Sequence, residues 1–154
     1  EIDPDWQKEC KAPHTIDVID LANRVANPPR SLGIYKNCVD MDTALAASPA
    51  GETVFAVQKD GTTLLYKASS NTFTASRRDF TTLAGAYGAP SDDRFIIDNT
   101  VLNRSLVPVG KLDSHYGTTS GVASVGGYGV RTASPSAASA VSRECRLVDF
   151  ESLM

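Results

Sequence analysis

The chain has 154 residues, an ordinary length for one domain, and its 15 basic and 18 acidic side chains leave a net charge of −3. That balance lacks the basic footprint of a nucleic-acid binder. No stretch reaches the roughly 18 consecutive apolar residues that a helical bilayer span requires, and no charged-then-apolar leader stands at the start. The opening Glu1 reads as the start of a piece processed or excised from something longer. Abundant Ser, Thr, Ala and Gly with scarce Lys lean toward an exported bacterial protein: secreted, periplasmic or at the cell surface.

Apolar residues alternate or cluster in short runs, Thr, Val, Ile, Tyr and Phe are prominent, and turn residues recur every 8–12 positions or so, which is an all-β pattern. Residues 1–14 form a lead-in that holds the only tryptophan, Trp6, and ends at His14. "TIDVIDLANRV" (15–25) opens a pair of strands over 15–29. A longer unit over 39–77 follows. Its inner strand lies in "VDMDTALA", its first turn is "SPAG", and Thr53 to Gln58 carry Val54 and Ala56 on one face with Phe55 and Val57 on the other. Apolar or small residues on both faces predict a strand covered on both sides. Asp60-Gly61 suits a type I′ hairpin turn, because both central positions there need positive φ. Thr62 to Lys67 returns as the partner, "ASSN" (68–71) turns, and Thr72 to Ser76 is a further strand.

The same grammar recurs over 83–112: small residues, a Pro-Ser-Asp-Asp turn, the run Arg94 to Ile97, an Asp98-Asn99 turn, then Thr100 to Arg104 and Leu106 to Val109. A last unit over 119–151 holds a Gly126-Gly127 turn, a strand from Tyr128 to Thr132, and "ECRLVDFESL". Ile19, Tyr66, Asn103 and Val148 take equivalent places at steps of 47, 37 and 45 residues, close to the roughly 40–50 residues of one propeller blade.

"SPAGETVFAV" resembles the Ser-Pro-Asp-Gly turn and apolar strand of bacterial YVTN-type (NHL/WD-like) β-propeller repeats, with Ala50 where Asp is usual and Phe55 where Tyr is usual. "TIDVIDLANRV" is similar to the third strand of such blades, in which an Ile-Asp pair precedes a short turn. The resemblance implies an all-β propeller segment of roughly three four-stranded antiparallel blades, belonging to a ring of about six to eight. It also implies that a second polypeptide segment or copy completes the ring, because the terminal sheets would otherwise leave open edges. An immunoglobulin-like or jelly-roll sandwich is the competing all-β architecture.

Propeller ligands usually bind at the channel face, on loops joining one blade's outer strand to the next blade's inner strand; here these are 30–37, 77–85 and 113–121. Asp113, His115 and Tyr116 put a carboxylate, an imidazole and a phenol within four positions, a set suited to acid–base work or half a metal site, although such loops are more often structural. Arg77 and Arg78 could clamp a carboxylate or a sugar acid, against the commoner reading of a solvated pair. Asp40 and Asp42 would share a face of the inner strand by alternation. Cys10 and Cys38 could lie on adjacent strands and form a disulfide, with buried free thiols the equal alternative, and Cys145 is left over. No phosphate loop, nucleophile elbow or metal-ligand spacing occurs. The leading expectation is therefore a non-catalytic scaffold without a cofactor that presents channel-face loops to a protein or carbohydrate partner. The alternative is a propeller lactonase, quinoprotein dehydrogenase or glycosidase in which a Ca²⁺ ion could take part.

Overall fold

The computed structural model describes residues 17–27, 39, 42–80, 87–113, 118–125, 128–134 and 144–149. Among these residues there are thirteen strands and no α-helix. The strands form four separate antiparallel sheets that follow one another along the chain.

The first sheet pairs β1 (Val18–Asp20) with β2 (Val25–Asn27). Asp20 shapes the turn between them. Its carboxylate accepts the backbone N–H groups of Ala22 and Asn23, both at 3.0 Å, and the side-chain amide of Asn23 at 2.7 Å. Arg24 closes the turn at φ +56°.

The second sheet has the order β3 (Ala44–Ala47), β4 (Thr53–Val57), β5 (Thr63–Lys67), β6 (Thr72–Arg77). The faces of β4 divide as the alternation predicts: Phe55 and Val57 join one core cluster and Ala56 another. The Asp60-Gly61 hairpin is present, but its turn differs from type I′. The Gly61 N–H donates to the Gln58 carbonyl at 3.1 Å and Gly61 alone takes positive φ, +87°, so three residues connect the strands instead of two. This is the next most common hairpin geometry, a turn followed by a left-handed residue. Asp60 favours it by accepting the Thr62 N–H at 2.9 Å. A Cβ on Gly61 would stand 1.4 Å from the carbonyl oxygen of Phe80, so the residue must be glycine for space as well as for conformation. A bulge between Leu65 and Tyr66 sets Leu65 opposite Ala75 but Tyr66 opposite Phe73. The extra residue, Thr74, sends Ala75 and Phe73 into opposite cores, which unbroken alternation could not do.

The third sheet has the order β7 (Tyr87–Gly88), β8 (Phe95–Ile97), β9 (Thr100–Leu102), β10 (Pro108–Lys111). Pro108 lies in its outermost strand, where a missing backbone donor is tolerated. In the last sheet β12 (Tyr128–Ser134) pairs on one side with β11 (Thr118–Val125) and on the other with β13 (Glu144–Asp149).

The second, third and fourth sheets pack face to face in sequence order. Between the second and third, Phe55, Val57 and Leu65 meet Phe95, Ile97, Leu102 and Leu106, and the rings of Phe55 and Phe95 lie 5.4 Å apart at 37°. Between the third and fourth, Ile96, Val101 and Leu112 meet Val122. The first strands of the last three sheets lie side by side, with β7 beside both β3 and β11. That approach is close enough that a Cβ on Gly88 would stand 3.2 Å from the Cβ of Val122.

Candidate binding face

At one end of the sheets lie the hairpin turns Gln58 to Thr62 and Asp98-Asn99, beside residues 78–80 where the chain leaves β6 and Leu112 and Asp113 where it leaves β10. Asp42, Arg77, Arg78 and Asp113 lie at this end. His115, Tyr116, Asp40, Cys10 and Cys38 lie outside the described residues.

The two adjacent arginines diverge. Arg78 crosses to the hairpin turn of its own sheet and pairs with Asp60 at 3.1 Å, its side chain still 71% exposed. Arg77 pairs with Asp79 at 2.5 Å through Nη2 and donates to the same carboxylate from Nε. Asp42 lies just ahead of β3 and faces Lys59 of the hairpin turn at 3.8 Å. Burial by itself would raise the Asp60 carboxyl, but hydrogen bonds from the Thr62 amide and hydroxyl and the charge of Arg78 outweigh it and hold the group below its ordinary value of 3.8.

Between the third and fourth sheets the same end is tied by neutral and charged hydrogen bonds. Asn99 accepts the N–H and the hydroxyl of Thr119 at 2.9 and 2.6 Å, and its backbone carbonyl accepts the Leu112 N–H at 2.7 Å. Arg131 is buried on β12. Its guanidinium donates to the Thr119 hydroxyl at 3.3 Å and to the backbone carbonyl of Asp113. Asp113 thus meets Arg131 through its main chain.

Arg131, Thr119 and Asn99 escape sequence reasoning, although Arg131 leaves a trace. Its neighbours Val130 and Thr132 point outward, so a charged residue occupies the inward position of an alternating strand, and a buried charge requires partners. At the opposite end Asp92 does the corresponding work. Its carboxylate accepts hydrogen bonds from the hydroxyls of Ser48 and Thr53, tying the first turn of the third sheet to that of the second. Among the described residues no three His, Cys, Asp or Glu side chains stand close enough to share a metal ion. No helix among them is long and apolar enough to cross a membrane.

Two consecutive four-stranded antiparallel sheets and a three-stranded one, with β3, β7 and β11 side by side, define the architecture. The fold is that of a β-propeller segment. Among solved structures the chain is similar to the crystal structure of the Cps50 (Swd1) β-propeller domain of Myceliophteria thermophila, with a TM-score of 0.60 at 12% sequence identity over 90% of this chain. The chain spans 46% of that propeller, about half its length. No protein-family model matches the sequence, and no curated protein matches it. The second and third sheets, each of four antiparallel strands, have the form of propeller blades.

Proposed function

We propose that this propeller segment is a non-catalytic scaffold that presents the loops of its channel face to a protein or carbohydrate partner. One observation carries the reading. Among the described residues, polar side chains at that face are engaged in ties between strands and blades (Arg78 with Asp60, Lys59 with Asp42, Asn99 with Thr119, Arg131 with Thr119), so they form a platform of mixed charge held chiefly by the buried and part-buried bonds of Asn99, Thr119 and Arg131. Rigid scaffolds with variable loops bind well because little ordering entropy is lost on contact. The repeat type is the bacterial YVTN one, supported by the "SPAGETVFAV" turn, whose Ser48 hydroxyl accepts the Thr53 N–H at 3.2 Å, and by the Asp20-capped turn after Ile19. An exported location fits that repeat type.

The blades at the two ends are open. Val18, Ile19 and Val25 of the first and Tyr128, Val130 and Leu147 of the last are exposed apolar side chains, of the kind that the middle blades bury against a neighbour. A further propeller segment, in the same or another polypeptide, covers them in this reading.

The test is selection of binders from a displayed peptide library and a glycan array, followed by Arg78→Glu on the channel face and Ser70→Glu at the opposite end. Selected ligands should lose at least tenfold in affinity with the first variant and nothing with the second. Turnover of simple lactones or glycosides, with or without Ca²⁺, or binding indifferent to Arg78→Glu, would overturn the proposal.

A further inference from the structure

A groove of about 530 Å³ runs along the side of the segment between β6 of one whole blade and the β9–β10 turn of the next, reaching the channel-face end at Arg77 and Asp79. Its walls include Thr74, Ser76, Arg77, Asp79, Arg104 and Ser105. Three features give it a binding character of its own. The first is an edge: β6 is the outermost strand of its sheet, so its outer row of backbone N–H and C=O groups is a template for an added strand. The second is charge. Arg77 is paired with Asp79, whereas Arg104 is exposed and makes no ion pair among the described residues, so the groove carries an excess positive charge.

The third is the rigidity of the turn that carries Arg104. The Asn103 side-chain oxygen accepts the N–H groups of Ser105 and Val107 at 2.9 and 3.0 Å. The Leu106 N–H donates to the Asn103 carbonyl at 2.8 Å. Leu106 itself adopts φ +58° and is fully buried between the blades. A leucine held in a left-handed conformation to fill the core anchors its neighbours, so Arg104 projects from a fixed base.

We propose that this lateral groove binds an extended acidic peptide segment, which adds to the outer edge of β6 as a fifth strand and sets a carboxylate against Arg104. Main-chain pairing supplies affinity and the guanidinium supplies selectivity. Its two determinants, the outer edge of β6 and Arg104, take no part in the channel-face ties, so the proposed function and this one can fail separately.

A fluorescein-labelled hexapeptide alternating valine and glutamate tests it by anisotropy against the intact chain. Three companions accompany it: the same peptide with glutamine for glutamate, the same peptide N-methylated on alternate amides, and the chain carrying Arg104→Glu. The acidic peptide should bind at least tenfold tighter than its glutamine analogue, and N-methylation should abolish binding. Arg104→Glu should cost tenfold or more without shifting the melting temperature, while Arg78→Glu on the channel face leaves the affinity unchanged. Absence of binding at millimolar peptide, equal binding of the glutamine or N-methylated peptide, or indifference to Arg104→Glu would overturn the proposal.

Discussion

The middle of the molecule and its two ends are written in the same pattern of residues and meet different fates. In the interface of the two whole blades, Phe55, Val57, Phe95, Ile97 and Leu102 are fully buried. In the terminal sheets, residues of similar apolar character stand in water: Ile19 is 65% exposed and Leu147 is 69% exposed. The difference lies in neighbours. A propeller blade has two faces that both need cover, and only the blades with a partner on each side obtain it. Apolar runs in repeat proteins therefore report what a strand is built to bury, while the array decides what it does bury.

Large-to-small substitutions sharpen that comparison most. Phe95→Ala should destabilise the chain by about 3–5 kcal/mol, because it opens a cavity in a closed interface. Leu147→Ala, on the open face, should stay within about 0.5 kcal/mol. Urea denaturation of both variants measures the contrast, and equal losses would mean that the last sheet is covered in solution.

Glycines at two turns make the next comparison. Gly61→Ala should cost roughly 2–4 kcal/mol, since its Cβ would collide with Phe80 and its φ is strained for a side chain. Gly51→Ala, at φ +72° with nothing within 4 Å of its Cβ, should cost only about 1 kcal/mol. Similar losses at the two sites would contradict the packing of the 78–80 segment on the hairpin turn.

The smallest effect belongs to the exposed Arg78–Asp60 pair, worth less than about 1 kcal/mol because solvent screens it. Asp60 has a folded-state pKa below its unfolded value, so the stability it contributes is fully present above the unfolded value and is lost as pH falls through the folded one. Arg78→Ala should therefore lower stability slightly and evenly from pH 5 to 8, and the deficit should shrink as pH falls below 3.8 and disappear below the folded-state value. Melting curves across that range check the sign, and a deficit that grows in acid would refute it.

Much of the fold is legible in the residues, and the reasons are local. The opposite faces of Val54 to Val57, the Asp60-Gly61 hairpin and the Asp98-Asn99 turn follow from period-two alternation and turn chemistry, and the turn after Ile19-Asp20 is what the resemblance to propeller repeats implies. The details that escape are those set by tertiary contact. The Phe80 carbonyl lies against Gly61 in its three-residue connection, and the bulge at Thr74 turns Phe73 and Ala75 into different cores. The polar ties are harder still to foresee. Asp92 bridges to Ser48 across 44 positions, and nothing near either residue announces the other. Of the candidate site residues, Arg77 and Arg78 are neighbours in sequence that the structure assigns to separate partners, a distinction that no local pattern carries.

The central claim is that these sheets radiate with their first strands side by side, and β7 against β11 is the place to measure it. In a background with Cys10, Cys38 and Cys145 replaced by serine, the double variant Gly88→Cys, Val122→Cys places two Cβ atoms about 3.2 Å apart, near the separation a disulfide needs. Mild oxidation should close that bond quantitatively, seen by mass spectrometry as loss of two hydrogens in a folded chain. Two persistently free thiols would mean that the inner strands stand apart, as they do across the roughly 10 Å between layers of a β-sandwich, and would contradict the propeller arrangement.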